Sequence, residues 1–282
     1  MSFPLTEFQG QPAVALQRPE GDRAVLLLHG AHLVSWQTAD GREQLYLSPR
    51  AQLDGQSAIR GGVPICFPQF NQRGPLLKHG FARNLPWQVE AAEAAQVTLG
   101  LRQGALTRAF WPQAFHAQLT VTLEADGLRL ALRVENTGAA PWSFTAALHT
   151  YLRVDDAEQA QLAGLEGCAR WDAVRDAHLR QAEAPRFGAE FDSVFQAPPQ
   201  PLHLSGAAGG GRLRIAQSPS CPQTVVWNPG PELSRTLADL PDEGWRHMLC
   251  VEAAHIDSPV ELAPGATWEG WQRLVRLASP SP

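Results

Sequence analysis

The chain has 282 residues and a formal net charge of −5 at neutral pH. Hydrophobic residues make up 44% of it and charged residues only 18%, which excludes an intrinsically disordered chain, because disorder requires high charge and few apolar side chains. The small acidic excess also excludes nucleic acid as an expected partner, since binding a phosphate backbone requires a basic surface.

The first residues contain neither the basic nor the apolar segment that signal peptides have. The most apolar stretch, residues 24–36, contains two histidines and a glycine and is shorter than the ~20 apolar residues that a membrane span requires. The four cysteines are widely separated and form no Cys-x-x-Cys pair, which argues against a zinc site and a disulfide framework. We therefore expect a cytoplasmic protein with no membrane partner and no metal.

The predicted elements, taken in chain order, are short strands in which apolar and polar residues alternate between glycines and prolines. Outside a hairpin described below, they cover residues 24–28, 33–37, 96–102, 142–154, 213–216, 224–227, 247–254 and 267–277. One short helix is predicted over 232–239. Because no long helical period separates the strands, the pattern favours an all-β fold built as a large antiparallel β-sandwich. We expect a single domain, 1–282, with its core at about 24–276 and a frayed tail at 278–282.

A β-hairpin is predicted over residues 116–137, where apolar residues alternate on both sides of the Asp-Gly dipeptide at 126–127. Asp-Gly suits a two-residue type I′ turn. Such a turn places Leu123 opposite Leu130 and brings both apolar sets onto one face of the hairpin.

Segment 59–83 is not predicted to be a strand and concentrates positive charge, while no acidic residue occurs from 55 to 89. Its cations surround a Gly-Gly dipeptide that permits close approach of the backbone. Unpaired cations of this kind suit a small oxyanion such as phosphate. The alternative is an exposed loop whose arginines pair with distant carboxylates. The five basic side chains are Arg60, Arg73, Lys78, His79 and Arg83.

His149 falls in an alternating strand, on the face opposite its apolar residues and together with Thr145 and Tyr151. This placement suits a proton donor in a polar cleft. A surface histidine, or one with a purely structural hydrogen bond, is the alternative.

Glu252 is the single carboxylate inside the apolar run 248–254. Burial there would raise its pKa, as a general base working near neutral pH requires. The alternatives are an edge strand that exposes Glu252 and an ion pair with a structural arginine. Asp192 lies among aromatic residues, where its carboxylate could accept hydrogen bonds from sugar hydroxyls or cap a turn.

Six motifs occur in the order found in a known family, and the matching region spans about residues 24–276. Together they resemble the glucose-6-phosphate 1-epimerases, the hexose-6-phosphate mutarotase branch of the aldose 1-epimerases. The motifs are Ile59-Arg60-Gly61-Gly62-Val63-Pro64, Phe67-Pro68-Gln69-Phe70, His79-Gly80-Phe81-Ala82-Arg83, Leu148-His149-Thr150-Tyr151, Val226-Trp227-Asn228-Pro229 and Cys250-Val251-Glu252-Ala253-Ala254.

The resemblance implies a galactose-mutarotase-like β-sandwich in which His149 is the general acid and Glu252 the general base. It implies that His79 either contacts the substrate or supports the site as a polar residue. Some relatives have Gln where this chain has Lys78, a change that still suits phosphate. The other implied contacts to substrate or phosphate come from Arg60, Lys78, Arg83 and Asp192.

The activity implied by the resemblance is that of an isomerase that interconverts the α and β anomers of an aldohexose 6-phosphate. It requires no metal or other cofactor, and we expect a monomer whose partner is a small sugar phosphate. Two alternatives are a mutarotase for unphosphorylated hexoses and a non-catalytic module that binds sugar phosphates. A purely structural sandwich is a third, and it leaves the cations of segment 59–83 unexplained.

Overall fold

A computed structural model describes residues 5–277 of the chain. The predicted frayed tail at 278–282 lies outside the described residues. The fold is all-β, as the alternating sequence pattern predicts, and its strands pair antiparallel. None of the helices formed by residues 5–277 has the length and apolar character needed to cross a membrane.

The strands are short for the most part and follow one another along residues 5–277. In order they are β1 Thr6–Phe8, β2 Gln11–Gln17, β3 Arg23–Leu27, β4 Leu33–Gln37, β5 Ile65–Cys66, β6 Gln88–Glu93, β7 Gln96–Arg102, β8 Phe115–Leu123, β9 Gly127–Asn136, β10 Trp142–Leu148, β11 Tyr151–Arg153, β12 Gln161–Ala163, β13 Ala169–Asp172, β14 Ala177–Arg180, β15 Phe191–Gln196, β16 Leu202–Ala207, β17 Gly211–Gln217, β18 Gln223–Asn228, β19 Met248–Leu262 and β20 Thr267–Leu277. The helices are α1 Ala105–Arg108, α2 Gly230–Ser234 and the 3₁₀ turns Ala82–Asn84 and Gly244–His247.

Three sheets organise these strands. The first has four strands in the order β1-β2-β3-β4. The second has eight, in the order β14-β13-β15-β18-β19-β10-β5, with β11 also paired to β19. The third has eight, in the order β12-β16-β17-β20-β9-β8-β7-β6. Neighbours such as β10 and β19 are distant in sequence, so the pairing of strands is decided by tertiary structure.

The main apolar core uses alternate residues of the two eight-stranded sheets. In β19, Leu249 and Val251 belong to this core. Cys250, Glu252 and Ala254 alternate with them and therefore point to the opposite face of the second sheet. This opposite face, which we call the site face, carries the groups described below.

The predicted hairpin forms, but its predicted register is wrong by two residues. Leu123 pairs with Leu128 rather than with Leu130. The chain turns at residues 125–126, and neither residue has the positive φ that a type I′ turn requires. Gly127 instead lies in β9, where a Cβ would be 1.9 Å from the Leu274 carbonyl oxygen, so this glycine permits close approach of β20. A shift by two residues preserves the faces, and the predicted apolar face is confirmed.

Three other predicted elements differ from the structure, and the simplest case is the strand predicted over 247–254, which continues to Leu262 as β19. The helix predicted over 232–239 is displaced and forms at Gly230–Ser234. The strand predicted over 142–154 is divided into β10 and β11, because the chain interrupts regular pairing at His149 and Thr150. The interruption is stabilised inside the protein, since the Thr150 hydroxyl donates to Gln272 Oε1 at 2.6 Å.

Candidate active site

One row of cross-strand neighbours crosses the site face of the second sheet. The paired residues run from Trp171 in β13 to Val194 in β15, Val225 in β18 and Glu252 in β19. Directly opposite residues in antiparallel strands point to the same face. The row therefore brings side chains from distant parts of the sequence into one line, and His149 ends it.

The register of β19 explains why His149 and Glu252 meet. Leu148 pairs with Ala253 before the interruption, and Tyr151 pairs with Cys250 after it. The two residues of the interruption therefore occupy the positions opposite 252 and 251. His149 consequently faces Glu252 across the strands, although 103 residues separate them in the sequence.

The imidazole of His149 and the carboxyl of Glu252 are adjacent and almost free of other partners. His149 Nδ1 lies 3.4 Å from Glu252 Oε1. Glu252 is 1% exposed and His149 is 8% exposed. Neither His149 Nδ1 nor Glu252 Oε2 forms a hydrogen bond with any residue from 5 to 277, and no arginine in that range pairs with Glu252. Buried polar atoms are almost always satisfied, so two orphaned atoms at one point indicate a place where a ligand completes the bonding.

Burial pushes both groups toward their neutral forms. It raises the pKa of Glu252 well above the usual range, and the nearby carboxylate of Asp192 adds to the effect. Burial likewise lowers the pKa of His149, and the positive charges of Arg83 and Arg60 lower it further. The pair thus holds one dissociable proton in a dry environment, as acid–base chemistry near neutral pH requires.

His79 presents a second imidazole to the same place. Its ring centroid is 5.5 Å from that of His149. The backbone N–H of Asn71 donates to His79 Nδ1 at 3.3 Å, so the neutral ring carries its proton on Nε2. Burial lowers the pKa of His79 to about 3, which keeps the ring neutral. His79 is therefore suited to donate a hydrogen bond and not to supply positive charge.

A cavity of about 250 Å³ lies over the row and is lined by His79, His149 and Glu252. Asp192 and Trp227, paired with each other in the neighbouring row, form a further part of its wall. Burial, together with the negative charge of Glu190, raises the pKa of Asp192 to about 6. The cavity combines aromatic surface, carboxyl groups and imidazoles, as sites for small polar molecules do.

The cations of segment 59–83 differ in whether they line the cavity and in whether they pair with other residues. Arg60 lines it and pairs with Asp239, with Nε 3.2 Å from Oδ1. Lys78 lines it, is exposed and forms no ion pair within the described part of the chain. Arg83 does not line the cavity; its Nη2 donates to the Lys78 carbonyl oxygen at 2.9 Å. The structure therefore brings Arg60 and Lys78 to the cavity and leaves Arg83 as a support for Lys78.

The alternative interpretation of the segment, pairing with distant carboxylates, holds for two of its arginines, because Arg60 pairs with Asp239 even though it lines the cavity. Arg73 pairs with a distant carboxylate, Asp257, at 3.4 Å, and it does not line this cavity. The Gly-Gly dipeptide does not line the cavity either, and its glycines permit close packing. A Cβ at Gly62 would lie 2.2 Å from the Leu33 carbonyl oxygen, so this glycine seats the segment against β4.

Several residues of the cavity region were not singled out by sequence reasoning, and Trp227 and Tyr151 are two of them. Trp227 lines the cavity, and the ring of Tyr151 stacks on that of His149 with centroids 4.8 Å apart. Both belong to the motifs that carry the family resemblance. For Tyr151 a signal was present, because strand alternation already places it on the same face as His149.

Comparisons with known proteins agree with this architecture. The family model for aldose 1-epimerase matches residues 12–275. A protein of Cenchrus ciliaris that is provisionally named glucose-6-phosphate 1-epimerase is 34% identical, over 96% of this chain and 86% of its own length. A protein of Escherichia coli with the same provisional name is 35% identical, over 83% of this chain and 80% of its own length. The crystal structure of a provisionally named mutarotase from Salmonella typhimurium superimposes with a TM-score of 0.82 and 28% identity, covering 97% of this chain and 93% of that one.

The fold is thus that of the galactose-mutarotase-like proteins, as the resemblance implied. The chain belongs to the aldose 1-epimerase family, since the family model covers most of its length. It is an isomerase that interconverts sugar anomers.

Proposed function

We propose that the protein interconverts the α and β anomers of an aldohexose 6-phosphate, with Glu252 as general base and His149 as general acid. The observation that carries this proposal is the cross-strand pair itself. Two acid–base groups 3.4 Å apart, each with an orphaned polar atom, face a cavity with cations at its edge. The names of the Cenchrus ciliaris and Escherichia coli relatives support the choice of glucose 6-phosphate as the sugar.

In the proposed reaction, ionised Glu252 accepts the proton of the anomeric hydroxyl while protonated His149 donates a proton to the ring oxygen. The bond between C1 and the ring oxygen breaks, and the open-chain aldehyde forms. Rotation about C1–C2 presents the other face of the carbonyl, and the same two groups act in reverse to close the ring. Both reacting oxygens are bonded to C1, so an acid and a base that lie side by side can reach both.

The protonation states follow from the environment of the pair. Burial favours neutral Glu252 and neutral His149, whereas the reaction starts from the carboxylate and the imidazolium. Both arrangements contain one dissociable proton. Transfer of this proton from Glu252 to His149 therefore prepares the reactive state without exchange with solvent.

The phosphate is assigned to Arg60 and Lys78, with Arg83 holding Lys78 through its carbonyl oxygen. Binding energy from the phosphate, which does not react, would orient C1 at the acid–base pair. Asp192 is assigned to sugar hydroxyls, for which its carboxylate is an acceptor. His79 is assigned as a neutral donor to a sugar oxygen.

Monomeric action in a reducing cytoplasm completes the proposal. All groups assigned to the reaction come from one chain, so a second copy is not needed to form the site. The four cysteines are unpaired, and three of them are buried, which fits a reducing compartment.

The direct test measures anomer exchange by NMR on glucose 6-phosphate and on glucose, with wild type, Lys78→Gln and Arg102→Ala. Arg102 lies on the surface of the third sheet, away from the cavity, and controls for loss of a positive charge. We expect wild type to prefer the phosphate ester and Lys78→Gln to raise KM for it by about ten-fold, because a charged hydrogen bond is lost.

Three outcomes would reject parts of this proposal. Equal exchange of both sugars by wild type would favour a mutarotase for free hexoses. Binding of glucose 6-phosphate without exchange would favour a binding module. An equal change in KM for Lys78→Gln and Arg102→Ala would remove Lys78 from the phosphate site.

A further inference from the structure

Tyr151 contacts both the proposed general acid, His149, and the proposed phosphate-binding residue Arg60. Its ring lies parallel to the imidazole of His149, with an interplanar angle of 7° and centroids 4.8 Å apart. Its hydroxyl oxygen accepts a hydrogen bond from Arg60 Nη1 at 3.1 Å. One buried side chain thus supports the proposed acid on its face and the proposed anion-binding residue at its tip.

The guanidinium of Arg60 is fixed by three neighbours. Its Nε donates to Asp239, its Nη1 donates to Tyr151, and its Cζ lies 5.7 Å from the ring centroid of Trp227. Its remaining nitrogen, Nη2, has no hydrogen-bond partner among residues 5–277. A guanidinium held on two sides presents its free edge in one direction, which is the condition for specific recognition of an oxyanion.

Three aromatic rings also confine His149, and two of them, Tyr151 and Trp227, are the aromatic neighbours of Arg60. Trp227 meets the rings of His149 and Tyr151 edge-on, at 85° and 81°. His79 approaches the imidazole from another side at 65°. Burial raises the pKa of Tyr151, so its hydroxyl stays neutral and can accept from Arg60 without carrying charge.

We propose that Tyr151 is a positioning residue that joins the imidazole of His149 to the guanidinium of Arg60 in one rigid unit, and that its hydroxyl sets the preference for phosphorylated sugar. This inference rests on the proposed function. Tyr151 does not line the cavity itself. It acts on the substrate through Arg60 and on the proton transfer through His149.

The chain provides a matched control, because it contains only two tyrosines. Tyr46 is also buried and belongs to the same apolar cluster as Tyr151. Its hydroxyl forms no hydrogen bond with any described residue. Tyr46→Phe and Tyr151→Phe therefore each remove one buried hydroxyl, but only the second removes a bond to Arg60.

The test measures kcat and KM for anomer exchange of glucose 6-phosphate and glucose in Tyr151→Phe, Tyr46→Phe and wild type. We expect Tyr151→Phe to raise KM for the phosphate ester and to lower the ratio of kcat/KM values, ester over glucose, by about ten-fold, the effect of one hydrogen bond to a charged group. Tyr151→Leu also removes the stacked ring, and we expect kcat to fall for both sugars. Thermal unfolding of each variant checks that it is folded.

A double-variant cycle separates positioning from general stability. If the Tyr151 hydroxyl acts through Arg60, Tyr151→Phe has no further effect on KM in the Arg60→Ala background. Additive effects would overturn the proposal, as would equal behaviour of Tyr151→Phe and Tyr46→Phe.

Equilibrium binding of glucose 6-phosphate, measured by calorimetry on the same proteins, distinguishes this inference from the proposed function. Weaker binding by Tyr151→Phe in a protein that catalyses no exchange would reject the reaction and support the role of Tyr151 in anion binding. Unchanged binding would overturn that role whether or not exchange occurs.

Discussion

Two histidine–glutamate pairs, one on each eight-stranded sheet, have opposite environments. On the third sheet, His116 Nε2 lies 2.8 Å from Glu90 Oε1, and Gln118 donates to Glu90 Oε2 at 2.6 Å. The side chain of Glu90 is 25% exposed. Although burial opposes it, the hydrogen bonds from Gln118 and His116 lower the pKa of Glu90.

The pair on the second sheet has the same residue types and none of this compensation. Glu252 is deeply buried beside His149, and one oxygen of its carboxyl has no partner among the described residues. Its pKa is raised where that of Glu90 is lowered. The two pairs therefore differ in burial and in hydrogen bonds and not in residue type. This difference is the reason why only the pair on the second sheet is proposed to be reactive.

The largest effect that separates the two pairs is expected for the carboxylates. Glu252→Gln should lower the rate of anomer exchange by ~10²–10⁴-fold, because the amide cannot accept the proton of the anomeric hydroxyl. Glu90→Gln, the matched change in the other pair, should stay within two-fold of wild type. Exchange NMR on glucose 6-phosphate measures both. Equal rates in Glu252→Gln and Glu90→Gln would end the assignment of Glu252 as base.

Replacing the histidine of each pair by asparagine should have a smaller effect on the rate of anomer exchange. His149→Asn should lower exchange by ~10²-fold, toward the lower limit for a general acid, because His149 is more exposed than Glu252 and water can replace it in part. His116→Asn is the control and should leave the rate unchanged. A loss of activity in both variants, with both folded, would assign His149 no special role.

The pH dependence of kcat/KM should show whether the carboxylate of Asp192 raises the pKa of Glu252. The rate constant kcat/KM should fall as pH rises through the ionisation of Glu252, because the pair then loses its one dissociable proton, and the midpoint of this fall should reflect the raised pKa of that group. Asp192→Asn removes a negative charge that raises the pKa of Glu252, so the midpoint should move to lower pH. The absolute rate should also fall, because Asp192 is assigned to sugar hydroxyls. An unchanged midpoint, or one displaced to higher pH, contradicts this electrostatic coupling.

The smallest effects concern stability, and the two pairs should have opposite signs. Glu252→Gln should stabilise the protein by ~1 kcal/mol at neutral pH, because it removes an ionisable group from a dry environment. Glu90→Gln should destabilise it by ~1 kcal/mol, because hydrogen bonds to a carboxylate are weakened. Urea unfolding midpoints at pH 5 and pH 8 measure both.

The pH dependence of these stabilities follows from the two pKa directions. A raised pKa in the folded protein makes wild type lose stability as pH rises above 4.5, the usual value for glutamate, so the advantage of Glu252→Gln should be larger at pH 8 than at pH 5. The lowered pKa of Glu90 stabilises the protein above 4.5, and this contribution disappears as pH falls toward the lowered value. A stabilising Glu90→Gln would contradict the comparison.

Much of the fold follows from local sequence pattern, because side-chain alternation is a property of each strand by itself. The bounds predicted for β4, β7 and β20 agree with the structure residue for residue. The hairpin shows where local pattern stops being sufficient. Its apolar face is correct, while its register depends on whether Gly127 serves the turn or the contact with β20, and that contact joins segments about 150 residues apart.

The candidate site, like the fold, was only partly predictable from local sequence pattern. The sequence alone singled out an unusual carboxylate at 252, a histidine at 149 on a polar face and a cluster of cations between 59 and 83. It did not distinguish Lys78, which faces the cavity, from Arg73, which pairs with Asp257. Ion pairing depends on which distant carboxylates fold against a loop, and local pattern contains no information about them.

By itself the sequence determined the strand content, the faces of the strands and the residue types available for acid–base chemistry. Tertiary structure decided that Glu252 and His149 lie opposite each other, since this depends on the register of β19 against β10 and β11. It also decided that Glu252 is dry while Glu90 is not. Register and burial are long-range properties, set by which strands pair and what packs over them, and they turn an ordinary pair of residues into a candidate catalytic pair.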